Sequence, residues 1–277
     1  MRPRRWLHWL RIVVVLLVAT VLVVVPLWMM VVNSLKTVGE SNALELGLPR
    51  DWSAAVSNYQ TVLEEGQFAM RFANNLIILV PAVIIVLFLG SAAAWYFGRH
   101  RSRMARVLYG FAVVGILVPP AVITTVFLLR ALNLFGTYTG LTLFYVGAFL
   151  SFAIFIMTGF VNTIPPELEE AATIDGASRL RTFLVVVLPL MRPIFVSSGV
   201  VLLFMMWNDF FFPLFLSGSS RKATLVLGLY NFISAGQHQL QYNLLFAGVV
   251  VVSLPLLVTL VFAQRYLVEG LTAGSSK

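Results

Sequence analysis

The chain has 277 residues, 60% of them apolar and 11% charged, with a formal net charge of +8 and a mean hydropathy of +0.93. Soluble domains are about half apolar and about a quarter charged, so the composition excludes a soluble globular protein and implies an all-α, polytopic membrane protein. The absence of cysteine excludes disulfides, thiolate metal sites and cysteine nucleophiles.

The N-terminus, Met1-Arg2-Pro3-Arg4-Arg5, leads into a long apolar run. That run exceeds the apolar core of a secretory signal and ends in Trp28-Met29-Met30 with no small-residue cleavage site. It therefore predicts a retained first span over 11–32. The polar segment 33–72 carries five acidic residues and lacks the patterning of an independent domain. A helix needs about 20 apolar residues to cross the bilayer core, and five further segments qualify: 74–97, 107–129, 139–160, 193–216 and 244–264. Six transmembrane helices result, in one transmembrane domain covering 1–277.

Pro81, Pro119-Pro120 and Pro255 fall inside spans. Each removes a backbone donor and can kink its helix, which fits hinges for a gate and ordinary membrane-helix kinks equally. Gly90-Ser91-Ala92-Ala93-Ala94 in the second span is a small-residue patch where helix backbones can approach closely. Between the last two spans, 223–233 reads as a short helix and 234–239 as a turn, in a loop long enough to contact an external protein.

Basic residues choose the orientation, because short cytoplasmic loops collect Lys and Arg. Thirteen of the 19 lie on one side: Arg2, Arg4, Arg5, Arg11, Arg99, Arg101, Arg103, Arg106, Arg179, Arg181, Arg192, Arg265 and Lys277. The opposite side has six: Lys36, Arg50, Arg71, Arg130, Arg221 and Lys222. Both termini are expected in the cytoplasm. Placed beside spans, these charges set topology, so the positive balance does not point to nucleic acid.

The loop after the fourth span then faces the cytoplasm. In it, Pro165-Pro166 and Glu167-Leu168-Glu169-Glu170 form a helix start, since proline suits the first turn and carboxylates complement its positive end. Gly176 suits the stop. A helix of about ten residues is too short to stand alone in water and takes its order from packing. Leu168, Ala171 and Ala172 share one face by their spacing, with Glu169, Glu170 and Asp175 ringing it. Spacing alone fits a docking peg and a solvated loop helix equally.

Glu170-Ala171-Ala172, then Gly176 four residues on, then Leu188-Pro189, resembles the EAA loop of binding-protein-dependent ABC importers. Val186 stands where isoleucine is usual. The resemblance continues through Asn33-Ser34-Leu35-Lys36, Asn58-Tyr59, Asn74-Asn75, the run from Ala92 to Arg99, Trp207-Asn208-Asp209 and the tail from Gln264 to Gly274. It is closest to the carbohydrate-importer permeases that include the six-span subunit of the maltose transporter; Asn75 replaces their usual serine or threonine. The core permease module would run over 71–264.

The resemblance implies a type I importer transmembrane domain that moves a sugar or related solute by alternating access. It implies four partners: a second permease subunit, a cytoplasmic ATPase dimer, an extracytoplasmic solute-binding protein and membrane lipid. Leu168, Glu170, Ala171, Ala172, Asp175, Gly176, Leu188 and Pro189 are then the ATPase-docking residues. The chain has no G-x-x-x-x-G-K-[ST] phosphate loop, so ATP and its magnesium are expected on a partner subunit and no cofactor on this one. The location implied is the inner cell membrane.

Asn208 lies fifteen residues beyond Pro193, about 23 Å along a helix, which places Trp207, Asn208 and Asp209 toward the outer leaflet. They either line the substrate path or hold a subunit interface and cap a helix break before Pro213. Trp207, Phe210, Phe211, Phe212 and Phe215 either stack on a sugar or face lipid. His8, His100 and His238 are too dispersed for a metal site, and no Ser/His/Asp set converges on one depth, so no catalytic centre is expected. The competing class is an ATP-independent secondary transporter or channel, whose expected sign is several intramembrane charges. Spans one to four and six carry essentially none away from their ends.

Overall fold

The computed structural model describes residues 5–234 and 241–273, all helix and connecting segments with no strand among them. Four helices are long and apolar enough to cross a membrane: Trp9–Ser34, Phe68–Arg99, Tyr138–Val161 and Tyr242–Gln264. Two further helix pairs qualify only if each bent pair is one span. The turn expected at 234–239, and His238 with it, lies outside the described residues after Ser234.

A break between Leu117 and Val122 and another between Trp207 and Phe211 correct the expectation of continuous third and fifth spans. Arg103–Leu117 and Val122–Ala131 meet at 112°. The reason is Pro119-Pro120: Val118, before the first proline, is pushed to extended backbone at φ −89°, ψ 113°. The expected span over 193–216 stops at Trp207 and resumes as Phe211–Leu216. At the restart Asp209 caps the new helix by accepting the N–H of Phe212, and Pro213 falls in its first turn, where a missing N–H costs no intrahelical bond. Upstream, Arg179–Leu190 is helical and bends by 74° from Arg192–Trp207. Pro81 and Pro255, by contrast, sit inside unbroken helices.

The chain forms two compact units. The first comprises 1–69 and 228–255. Its apolar centre is Val62, Phe232, Leu244, Ala247 and Val251, with Tyr59, Phe68, Leu229 and Ile233 packed against it. Beside that centre lies a buried polar network. Asn58 Nδ2 donates to the carbonyls of Ser34 (3.0 Å) and Lys36 (2.9 Å). Asn243 Nδ2 donates to Asn58 Oδ1 at 2.7 Å, and the Asn243 N–H donates to Ser41 Oγ at 3.1 Å. Lys36, 2% exposed, gives its ammonium to the Glu45 carbonyl (2.6 Å) and Asn33 Oδ1 (3.2 Å). The network explains why Asn-Ser-Leu-Lys and Asn-Tyr stand where they do: buried polar groups are costly unless paired, and here they pair with one another. The first span meets this unit only near its end, where Val32, Asn33 and Ser34 are buried.

The second unit comprises 70–227 and 256–277. Tyr138–Val161 is its central helix, packed by Arg103–Leu117 and by Arg192–Trp207. Thr137 and Ser102 cap the starts of two of these helices, accepting the N–H of Gly140 (2.9 Å) and of Ala105 (3.1 Å). The small-residue patch of the second span lets it approach Tyr138–Val161 closely. A Cβ on Gly90 would stand 2.9 Å from the Ala153 Cβ, and one on Gly98 would stand 2.7 Å from a Val161 methyl.

Candidate functional site

The segment after Val161 folds as the sequence predicts. Glu167–Ile174 is an eight-residue helix entered through Pro166. It ends where Gly176 takes φ +79°, left-handed backbone that favours glycine. The Ala177 N–H reaches the Ala172 carbonyl (2.9 Å) and the Gly176 N–H that of Thr173 (3.0 Å), the paired bonds of a Schellman stop. Nothing lies within 4 Å of a Cβ built on Gly176, so backbone conformation alone calls for glycine there.

None of the eight helical residues is buried. Leu168 is 45% exposed and Ile174 86%; Glu170, Ala171, Asp175 and Gly176 are exposed, and Ala172 is half-buried. An apolar leucine, isoleucine and alanine standing in the open on so short a helix form a face that no described residue of this chain buries.

The other face is pinned, and here the structure departs from the sequence reading. Glu169 does not ring the helix; its carboxylate turns back onto the second span. Oε1 takes a hydrogen bond from Arg99 Nε at 2.7 Å and Oε2 one from Trp95 Nε1 at 2.8 Å. Arg99 also donates to the carbonyls of Val161 (3.1 Å) and Ile164 (2.8 Å), in the turn that leads into the helix. The Trp95 ring stacks on Phe183 beyond the helix, 5.5 Å between centroids and 26° between planes. Two residues one turn apart thus grip the segment before, within and after the helix. Sequence reasoning missed this joint. Arg99 reads as one more topological charge, and nothing local ties it to a carboxylate 70 positions away.

Leu188 and Pro189 stand apart from this helix. They lie in the turn Leu188–Leu190, which follows a wide helical turn at Phe183–Val187 and precedes the 74° bend. Leu188 is half-buried and Pro189 exposed.

The polar group at the fifth span forms a helix restart. Asn208 Nδ2 bonds back to the Phe204 carbonyl of its own helix (2.9 Å). Asp209 Oδ1 accepts the N–H of Phe212 (3.3 Å), and Oδ2 accepts the hydroxyl of buried Tyr145 (2.9 Å). Trp207 is 3% exposed and set edge-on to Phe72, so its ring is not offered to a solute. Phe211 and Phe215 are exposed and line a cavity of about 690 Å³ with Val122, Phe127 and Arg130. A second cavity, about 680 Å³, opens at the break of the third span and is lined by Pro119, Pro120, Phe144, Ala148 and Ser151. Among the described residues no His, Cys, Asp and Glu set is grouped to hold a metal ion.

Residues 86–272 match the family described as binding-protein-dependent transport system inner membrane component. The chain belongs to this family. As a permease of that kind it is 30% identical over 262 residues to the diacetylchitobiose uptake system permease protein NgcG of Streptomyces coelicolor, covering 94% of this chain and 86% of the relative. It is 31% identical over 262 residues to the probable starch degradation products transport system permease protein AmyC of Thermoanaerobacterium thermosulfurigenes, covering 94% of each. In fold, the permease superposes on one chain of a bacterial ABC transporter involved in import of the acidic polysaccharide alginate. That match has a TM-score of 0.81 at 21% identity and covers 96% of this chain and 98% of that one.

Proposed function

We propose that this permease is one of two membrane subunits of a sugar importer, and that Glu167–Ile174 is the peg by which a separate ATPase drives it. The observation that carries the reading is the two-sidedness of that helix. One face is fixed to its own chain through Glu169, and the other exposes Leu168, Ala171 and Ile174 with Glu170 and Asp175 beside them. A helix of this length is unstable unless packed, and a small apolar face flanked by carboxylates suits a cleft with basic walls. Leu168, Glu170, Ala171, Ala172, Asp175 and Gly176 form the docking face and its stop; Leu188 and Pro189 shape the turn behind it. The peg lies on the side that carries thirteen of the nineteen basic residues, with both termini, in the cytoplasm.

ATP and magnesium bind on the ATPase dimer, because this chain carries no phosphate loop. A solute-binding protein delivers the sugar to the outer face. Nucleotide-driven movement of the docked pegs then switches the cavities around the Pro119-Pro120 break between outward and inward access. Relatives named for diacetylchitobiose and starch products support a sugar or oligosaccharide as the class of solute. Trp207 and Asp209 serve the frame of the fifth span and not the path.

The test is Gly176→Pro in the reconstituted assembly. Proline is restricted to φ near −65° and cannot hold the +79° stop. Transport and stimulated ATP hydrolysis should be lost while the chain still inserts in the membrane. Normal stimulation of ATP hydrolysis would remove the docking role.

A further inference from the structure

Docking explains where force enters the permease, but not how it leaves an eight-residue helix bounded by turns. Such a helix, flanked by Pro165-Pro166 and Gly176, would swivel on its own connections unless something tied it to a longer body. Arg99 and Glu169 form an ion pair, and both side chains are largely shielded, 17% and 14% exposed. The geometry is more specific than a charge contact. Arg99 uses Nε for Glu169 and its two terminal nitrogens for the Val161 and Ile164 carbonyls, a planar three-way fork that lysine, with its donors on one nitrogen, cannot span. Glu169 uses both oxygens, one for Arg99 and one for Trp95. The Phe183 stack on Trp95 closes the grip on the far side of the peg. Four elements therefore meet at one joint: the second span, the end of the fourth, the peg and the segment after it.

Phe68–Arg99 is an unbroken helix of 32 residues, about 48 Å long. At its opposite end Asn74 Nδ2 donates to the carbonyls of Arg221 (2.8 Å) and Ala223 (3.0 Å), Asn74 Oδ1 accepts the Tyr138 hydroxyl (2.8 Å), and Asn75 Oδ1 accepts the Leu225 N–H (3.0 Å). One helix is thus pinned by polar side chains to the peg at one end and to the loop that follows the fifth span at the other.

We infer that Arg99, Glu169 and Trp95 are positioning residues that make the peg and the second span one mechanical body. A push on the peg is delivered along that span to the 221–225 segment on the other side of the membrane. The inference rests on the docking reading for the origin of the push, but the rigidity of the joint can be read without it.

The chain has no cysteine, so Leu89→Cys and Glu167→Cys, both at exposed positions, allow a pair of spin labels on the span and the peg. Distances are measured on the purified assembly in lipid nanodiscs, without nucleotide and trapped with MgATP and vanadate. The expected result is one narrow distance, unchanged by trapping. With Arg99→Ala added, the distribution should widen about twofold and shift on trapping, as when two packed elements gain independent movement. Glu169→Gln, milder for folding, should widen it less, and Trp95→Phe, which keeps the stack but loses the indole N–H, least. A distribution that stays narrow and unshifted in Arg99→Ala and Glu169→Gln overturns the inference, as does a trapping-dependent shift in the parent pair. The nucleotide-free distances test the joint even if no ATPase subunit accompanies the chain. That absence would count against docking alone.

Discussion

Asn58 shows how much one side chain can hold. Its amide nitrogen satisfies two carbonyls of the segment leaving the first span, and its amide oxygen receives Asn243. Asn58→Ala would strand three buried polar groups at once. At about 1–3 kcal/mol for each unsatisfied group, reduced by relaxation, a loss of about 2–4 kcal/mol is expected, visible as a lower thermal midpoint of the detergent-purified chain. Asn208→Ala makes the contrast: the residue is exposed and bonds only to its own helix, so the midpoint should move by less than about 0.5 kcal/mol equivalent. Asp209→Ala removes the acceptor at the helix restart and the partner of Tyr145, and should cost about 1–2 kcal/mol on the scale of lost caps. An Asn208→Ala loss as large as that of Asp209→Ala would contradict this assignment. At the same scale, Glu170→Lys should abolish transport with membrane insertion intact, since its exposed side chain makes no hydrogen bond or ion pair among the described residues. Normal uptake by vesicles carrying it would place the docking contact elsewhere.

Among elements, the clearest success of sequence reasoning is the short helix Glu167–Ile174 and its glycine stop, because every signal there is local. Prolines, early carboxylates and a glycine stop lie within a dozen positions, and each acts on backbone a few residues away. The failures are equally specific. Pro119-Pro120 predicts a kink, and the helix instead turns by 112°, because two adjacent prolines remove two donors and force the preceding residue to extended backbone. The expected fifth span runs through Asp209 and Pro213, but Asp209 caps a new helix there and Pro213 sits in its first turn. The Arg99–Glu169 joint was invisible for another reason: 70 positions separate its members, and no local pattern encodes a long-range pair. Close approach of the second span to Tyr138–Val161 was legible in its small residues. Gly90→Val should therefore be costly, about 1–3 kcal/mol for overpacking, against a small effect at Gly147, where nothing lies within 4 Å of a built Cβ. Equal stability of the two variants would argue against that contact.

Across the molecule, composition alone identifies a membrane protein, and the placement of basic residues predicts its orientation. Fusing a reporter that fluoresces only in the cytoplasm to the C-terminus should give signal, and fusing it within 217–225 should give none. The reverse pattern would invert the topology and place the peg outside. Which helices lean on one another is less legible, since apolar faces toward lipid and toward protein look alike in sequence. The first span makes the point. From Trp9 to Ser34 it is as apolar as any helix here, and the most apolar window within it is 0% buried; among the described residues it is held at one end, by buried Val32, Asn33 and Ser34 and by the Trp28 bond to the Leu46 carbonyl. A rod fastened at one end is free to change its tilt. Its apolar stretch, 21 residues from Ile12 to Val32, is about 31 Å long, close to the hydrocarbon thickness of about 30 Å. In thinner bilayers this helix should lean first and absorb the mismatch, while the crowded helices around Tyr138–Val161 keep their angles. The permease would then sense bilayer thickness at its least supported member and shield the rest from it.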